Sequence, residues 1–486
     1  MIRQALILLF LIPFLALSQT DTIAHLYTYG YLSNDIGEDI QPTSDGGFIL
    51  VGSTASSGDG NTDIYLLKVD SLCGYQWSFA LGGIENDWGY SVQQTQDKGY
   101  IVASSTNSYG NSYQACLMKR DSLGGYVWQK TYGGEDWDFV YDIAKTYDNG
   151  FVFCGETYNN TNGNSDVWVV KTNNQGDTLW TRTIGGSLAD KGNSIIETAD
   201  SNILVAGVRT TISDSTQAYV LKFDKDGVLI WDSLYGGTAY EGANDIITTQ
   251  DGNIVFTGTS TSFGVGDKDY YVVKINQNGN IIWEQVFNDV GDEEGFAIHE
   301  ISNGNLMNVG YTKATGAGEK DAKIFLITSG GWWGGQNSSF GGYVDDIAKA
   351  VTINTDGVIH MAGYTNSFGQ GLNDLMIIRV DTIVKNQLFT DESNMDIAPI
   401  NVEELSRDEE LILIFPNPTK RNVEVYIPRF PLKMRLIDNL GREVYQTELT
   451  EQNNKILLPA ILNGVFSMII SDSTKILETQ KLIIIE

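Results

Sequence analysis

From about residue 31 to residue 382 the chain alternates short apolar stretches with turn residues, and the alternation itself recurs. One unit reads "YSVQQT", "KGYIVASST", "YQACLMKRD" and "YVWQKTYGG", four stretches rich in β-branched and aromatic residues, set apart by Gly, Asn, Asp and Ser. That is strand composition bounded by turn composition. The second stretch of most units, such as "GGFILVGST" or "NGFVFCGET", is apolar at successive positions rather than at every other one. Both faces of each sheet are therefore expected to be buried.

Two columns fix the period. Trp77, Trp128, Trp180, Trp231, Trp283 and Trp332 fall 51, 52, 51, 52 and 49 residues apart, and a small-residue column runs through Gly52, Ala103, Gly155, Gly207, Gly258, Gly310 and Gly363. Seven four-stranded units, each needing cover on two faces, are satisfied by radial stacking as blades. The predicted fold is all-β, a seven-bladed β-propeller followed by a small C-terminal β-sandwich. The segment "HLYTYGY" ahead of the first unit resembles the "WQKTYGG" strands, whereas the seventh unit stops after its third strand at "LMIIRVDT". The N-terminal strand is expected to complete the last blade and to leave the ring without a large exposed edge.

Outside the repeats, residues 1–18 carry Arg3, an apolar run from Ala5 to Leu17 and small residues at Ala16 and Ser18. This is the pattern of a secretory signal peptide. No later stretch reaches the roughly 18 apolar residues of a membrane span. The expected domains are 1–18 signal peptide, 19–382 propeller, 383–410 linker and 411–486 sandwich. The linker holds eight acids against two bases and shows no strand or helix period, so it is expected to be flexible. Formal charge is −30, and residues 411–486 contribute +1, leaving −31 on the rest. Nucleic acid is excluded as a partner, because phosphate contacts need clustered Lys and Arg. Cys73, Cys116 and Cys154 are too few and odd in number for a disulfide framework, and the latter two lie in apolar strand patterns as buried thiols.

Candidate chemistry concentrates in columns. Five residues before the central aliphatic of each innermost strand stand Asp35, Asp87, Asp138, Asp190, Glu241, Glu293 and Asp346. A second column opens the third strands: Asp63, Asp166, Asp269, Asp321 and Asp374, with Gln114 and Gln217 in the other two units. Both are expected on one face, near a mouth of the central channel. Such a ring either binds a hard cation or cationic ligand, or each acid caps its own turn. Ca²⁺ is the one cofactor it suggests; no other is expected. Lys68, Lys119, Lys171, Lys222, Lys274 and Arg379 follow the second column by five residues and read as turn-contacting side chains with packed stems. The tryptophan column reads as packing between blades, whereas Trp332 and Trp333, flanked by glycines in "GGWWGGQ", are the candidate exposed aromatics. His25, His299 and His360 are scattered, with no HExxH and no GxSxG, so no catalytic residue nominates itself.

The units, best seen in "DGNIVFTGTSTSFGVGDKDYYVVKINQNGNIIW", resemble secreted β-propeller repeats common in the Bacteroidota. The C-terminal segments "LILIFPNPTKRNVEVYI", "MRLIDNLGREVYQTEL", "LLPAILNGVFSMIIS" and "QKLIIIE" closely resemble the type A C-terminal sorting domain of the type IX secretion system. The matching residues are Pro416, Asn417, Pro418, Asp438, Gly441, Arg442, Asn463, Gly464 and Lys481. The resemblance implies Sec-dependent entry to the periplasm, recognition by the type IX machinery, passage across the outer membrane, and release or anchoring at the cell surface. "DSL" and "DTL" at Asp70, Asp121, Asp177 and Asp232 resemble the O-glycosylation pattern of that phylum. The expected function is a monomeric, non-enzymatic binding or adhesion module for an extracellular glycan or protein. The competing expectation is an enzyme acting on polysaccharide through channel-mouth carboxylates.

Overall fold

The computed structural model describes residues 24–380 apart from 111, 160, 162–163, 212–214, 266, 288–289 and 317. Beyond these it describes 387–389, 395–398, 413–415, 422–426, 431–437, 442–450, 453–459, 464–471 and 476–484. The signal-peptide segment lies outside the described residues. Every element among them is a strand, and none is a helix long and apolar enough to cross a membrane.

Seven antiparallel sheets follow one another along the chain. Blade 3 is representative, with strands Asp138–Lys145, Phe151–Thr157, Asp166–Thr172 and Thr178–Ile184 in that order from the channel outward. Blade 7 has Asp346–Ile353, Ile359–Thr365 and Asp374–Val380, and its fourth strand is Ala24–Tyr29, paired antiparallel from Ala24 opposite Val380 to Tyr29 opposite Leu375. The first described strand and the repeat end are thereby joined in one sheet.

The core lies in the seams between blades. Ile101, Ala103 and Leu117 of blade 2 pack on Val140, Ile143, Phe153 and Val170 of blade 3, and the same arrangement recurs round the ring. The second and third strands are buried almost throughout, as their unbroken apolar runs require. Each fully buried aliphatic side chain contributes roughly 1.5–3 kcal/mol.

All seven innermost strands carry the same β-bulge, for example between Val140 and Asp142 in blade 3 and between Gly37 and Asp39 in blade 1. A bulge adds a residue to one strand and turns two consecutive side chains toward one side. Here that side is the channel.

Within 383–410 the described residues 387–389 and 395–398 form strands that the composition does not predict. Gln387–Phe389 adds parallel to the outermost strand of blade 6, and Met395–Ala398 adds parallel to Ala24–Tyr29 in blade 7. Outer strands carry unpaired backbone groups, which accept these short strands despite the acidity around them. The C-terminal unit has a three-stranded sheet and a four-stranded sheet around a shared core that includes Val425, Leu436, Ile456 and Met468.

Candidate functional site

The first acidic column is buried rather than open, each member being 0–1% exposed. Most members accept a backbone N–H from the residue four positions earlier: Asp35 from Tyr31 at 2.9 Å, Asp87 from Gly83 at 2.9 Å, Asp138 from Gly134 at 2.8 Å and Asp346 from Gly342 at 2.8 Å. Asp190 and Glu241 do the same with Gly186 and Gly237, both at 2.7 Å. A donor from the following loop completes the clamp, such as Ser56 on Asp35 at 2.7 Å and Asn159 on Asp138 at 2.7 Å, while Thr312 bonds Glu293 at 3.0 Å. These acids hold the turns that join one blade to the next, and the structure does not bring them together around the channel.

The second column meets the first across a glycine. One carboxylate oxygen from each of Asp35 and Asp374, of Asp63 and Asp87, of Asp166 and Asp190, and of Asp321 and Asp346 lies within 3 Å of the point where a Cβ on Gly30, Gly82, Gly185 or Gly341 would stand. A glycine is therefore required sterically at each of these four positions. Two buried carboxylates so close cannot both be ionised at low cost. Burial, reinforced by the neighbouring carboxylate, pushes Asp374 up to about 8 and Asp346 up to about 7. In blade 4 the place is taken by Gln217, whose amide donates to Glu241 at 3.2 Å as a protonated acid would. The loops ahead of the second column, such as "GDGNTD", bond their own acid, Gly60 N–H donating to Asp63 at 3.0 Å. Among the described residues no three His, Cys, Asp or Glu side chains are grouped to hold a metal ion.

The basic column lies at the opposite face and is buried too. Lys68 is 2% exposed and donates to Asp45 at 3.2 Å and to the Val69 carbonyl at 2.9 Å. Lys119, Lys171 and Lys274 pair likewise with Asp97, Asp148 and Asp251 at 2.7–2.9 Å. The tryptophan column packs between blades: Trp77, Trp128, Trp180, Trp231 and Trp283 cover Gly124, Gly176, Gly227, Gly279 and Gly331 of the next blade. Trp332 and Trp333 are 69% and 50% exposed, at the entry to the outermost strand of blade 6 and on the face opposite the acidic columns. His360 is buried against Phe48, and burial lowers it to about 4. The three cysteines are free and buried.

The channel carries a group that the column search missed. The inner position of each bulge pair is Asp39, Ser91, Asp142, Ser194, Asp245, Ala297 and Ala350 round the ring, lining a cavity of about 570 Å³. Ser91 Oγ lies 3.2 Å from Asp39 and 2.8 Å from Asp142, and Ser194 Oγ lies 3.1 Å from both Asp142 and Asp245. Asp39, Asp142 and Asp245 also accept N–H from Val92, Ile195 and Ile298 of the following blade, at 2.8–2.9 Å. The belt thus ties six blades in sequence. A serine has one hydrogen to give, so its second carboxyl contact needs a hydrogen from the acid. These carboxyls are half-buried by surface, since the channel admits water, yet protein surrounds them. Burial, reinforced by the charge of Asp142, pushes Asp39 up to about 6 and Asp245 up to about 7. The signal was an alternation, Asp, Ser, Asp, Ser, Asp, one residue past the bulge, which a search for uniform columns passes over.

At the mouth on the acidic-column face, blades 2 and 3 present a cluster of aromatic rings. Tyr113 stacks on Phe139 at 5.6 Å and lies 5.4 Å from Trp88, while Trp137 stands edge-on to Tyr113 at 5.9 Å and to Tyr158 at 5.8 Å. Phe139 is parallel to Tyr141 at 6.4 Å, and Tyr141 lines the channel cavity and donates to Glu156 at 2.6 Å.

Fold and repeat define a seven-bladed β-propeller carried on an export module. Residues 413–486 match the family model of the secretion system C-terminal sorting domain, which indicates export by the type IX secretion system across the outer membrane, to the cell surface or beyond. Of the motif residues, Arg442 is exposed and Gly464 and Lys481 lie in paired strands; Pro416, Asn417, Pro418, Asp438, Gly441 and Asn463 lie outside the described residues. Among solved structures, the Pan2 WD40 domain of Neurospora crassa is similar at 12% identity and TM-score 0.43, over 74% of this chain and 92% of that one. Sqt1 from Chaetomium thermophilum gives 10% and 0.42 over 74% and 98%. PorZ, a surface component of the type-IX secretion system of Porphyromonas gingivalis, gives 12% and 0.33 over 94% and 75%. No curated protein matches the sequence.

Proposed function

We propose that the protein is an exported binding or adhesion module, working at the cell surface or released, with the propeller as its recognition element. The observation that carries this reading is the half-buried aromatic cluster, topped by the exposed Trp137, at one channel mouth of a disc delivered outside the cell. Rigid repeat frames present such side chains at little ordering cost. The acids of the sequence columns support it indirectly, since every one for which bonds are described is engaged in holding turns and seams.

A second reading, an enzyme acting on polysaccharide, is favoured by one specific observation: Asp39 and Asp245, acids raised toward neutrality, line a cavity, as catalytic acids do. Against it, the belt oxygens are bonded to neighbouring serines and backbone N–H groups.

Binding of the full chain to arrayed extracellular glycans and matrix proteins tests the proposal. Saturable binding to one class is expected; no saturable binding to any of them sinks it.

A further inference from the structure

Side chains that hold a repeat fold recur at equivalent positions, and the mouth cluster does not. The residue before the first-column acid is Asn34, Asn86, Trp137, Ala189, Tyr240, Asp292 and Asp345; the residue after it is Ile36, Trp88, Phe139, Lys191, Gly242, Glu294 and Ile347. The residue before the second column is Thr62, Tyr113, Ser165, Thr216, Lys268, Lys320 and Asn373. Only at the seam of blades 2 and 3 do aromatic residues fill Trp88, Tyr113, Trp137 and Phe139 together. The turns and seams around the rest of the ring form without them.

The platform is also built to stay in place. Asn159 accepts from the Asp136 N–H at 3.1 Å, Ser112 donates to the Asp136 carbonyl at 2.9 Å, and Asp138 beneath is clamped as described. Trp137 is nonetheless 51% exposed. A contiguous aromatic patch at the surface, rimmed by polar residues, marks an interaction site, and a flat apolar face with a polar rim suits a partner that is apolar on its C–H face and hydroxylated at its edge. The rim supplies acceptors in the exposed Glu135 and Asp136 and in Glu156. The formal charge of −30 repels polyanions, which selects uncharged chains.

Resting on the binding role proposed above, we propose that Trp88, Tyr113, Trp137 and Phe139 form a saccharide platform that stacks a pyranose ring of a neutral extracellular polysaccharide. Trp137 supplies the exposed stacking face, and the carboxylates beside it accept hydroxyl hydrogens. The belt side of the channel takes no part.

The test is affinity electrophoresis of the full chain through gels containing laminarin, mannan, xylan or alginate, with a matrix-protein overlay run in parallel. Retardation by at least one neutral polysaccharide is expected, weakened about tenfold or more in Trp137→Ala, restored to within a few-fold in Trp137→Phe, and unchanged in Trp333→Ala. Circular dichroism of Trp137→Ala checks that the ring is intact, and Trp137→Phe keeps the test valid if it is not. Retardation that survives Trp137→Ala overturns the platform. Retardation by alginate alone overturns the ligand class. Matrix-protein binding with no polysaccharide retardation overturns the saccharide proposal and leaves the binding role standing, whereas the absence of both removes the two together.

Discussion

Asp35 and Asp374 face one another where the first and last blades meet, each with a carboxylate oxygen within 3 Å of the Cβ position that Gly30 leaves vacant. Asp374 keeps its other oxygen for the Gly371 N–H at 2.8 Å, so the oxygen facing Asp35 is free to carry a proton. Burial, and then the charge of Asp35, holds Asp374 up at about 8, against an ordinary 3.8. A raised carboxyl stabilises the fold fully below its unfolded value, and that stability is lost as pH rises through the folded value. Between pH 5 and pH 8 the wild-type chain is therefore expected to lose stability. Asp374→Asn keeps a hydrogen at that place and removes part of the slope, gaining on the order of 1–3 kcal/mol at pH 8. Urea unfolding at the two pH values measures this, and an Asn variant less stable than wild type at pH 8 would show that the pair works as two anions.

Asp142 is the middle acid of the channel belt, and its charge is among the causes that raise both neighbours. Asp142→Asn is expected to bring Asp39 down from about 6 and Asp245 down from about 7, read from the carboxyl carbon shifts of labelled aspartate. Titrations that stay in place would mean that the serines, not the charges, set the belt's protonation.

Much of this architecture is written in the chain. The 51- or 52-residue spacing of Trp77, Trp128 and Trp180 is legible because each tryptophan covers a glycine of the next blade, a contact that five of the copies share and Trp332 does not. The sorting segment is legible through its own motif. Column alignment also found Asp138 and its equivalents but put them at an open mouth, because sequence gives residue type and not depth. Asp142 was hidden by the bulge, which turns it into the channel beside Tyr141 and breaks the period of two. Trp137 was hidden by its singularity: a repeat search discards what occurs once, and the mouth cluster is what occurs once. The two strands within 383–410 had no apolar period to announce them, and they pair through the backbone with existing sheet edges.

Lys68 and Asp45 illustrate a buried base held by a turn. Burial works against the Asp45 charge, yet the Thr43 hydroxyl, the Gly47 N–H and Lys68 hold it down at about 2. Its contribution is present above the ordinary carboxylate range and is lost as pH falls through about 2. Asp45 itself is 55% exposed, so most of the effect of mutation comes from the lysine. Lys68→Ala is expected to cost about 2–3 kcal/mol, from the lost stem and the unpaired Val69 carbonyl, and Lys68→Met, which keeps the stem but also leaves that carbonyl unpaired, about 1–2 kcal/mol. Equal losses in urea unfolding would show that the charge matters more than the packing.

Cation binding by the acidic columns has a direct readout. A ligand specific for the folded state raises the melting temperature by mass action. With the described column acids bonded within their turns and seams, melting of the full chain is expected to be the same in millimolar Ca²⁺ and in chelator. A rise with Ca²⁺ would mean that the carboxyl pairs take up a metal between them.

The distinction that matters most lies between holding a polysaccharide and cutting it. The most direct measurement is the release of reducing ends when the full chain is incubated with a polysaccharide that retards it, alongside Asp142→Asn. Retention with no release above buffer, in both forms, is the predicted result. Release by the wild type that disappears in Asp142→Asn would contradict it and make the channel belt a catalytic site.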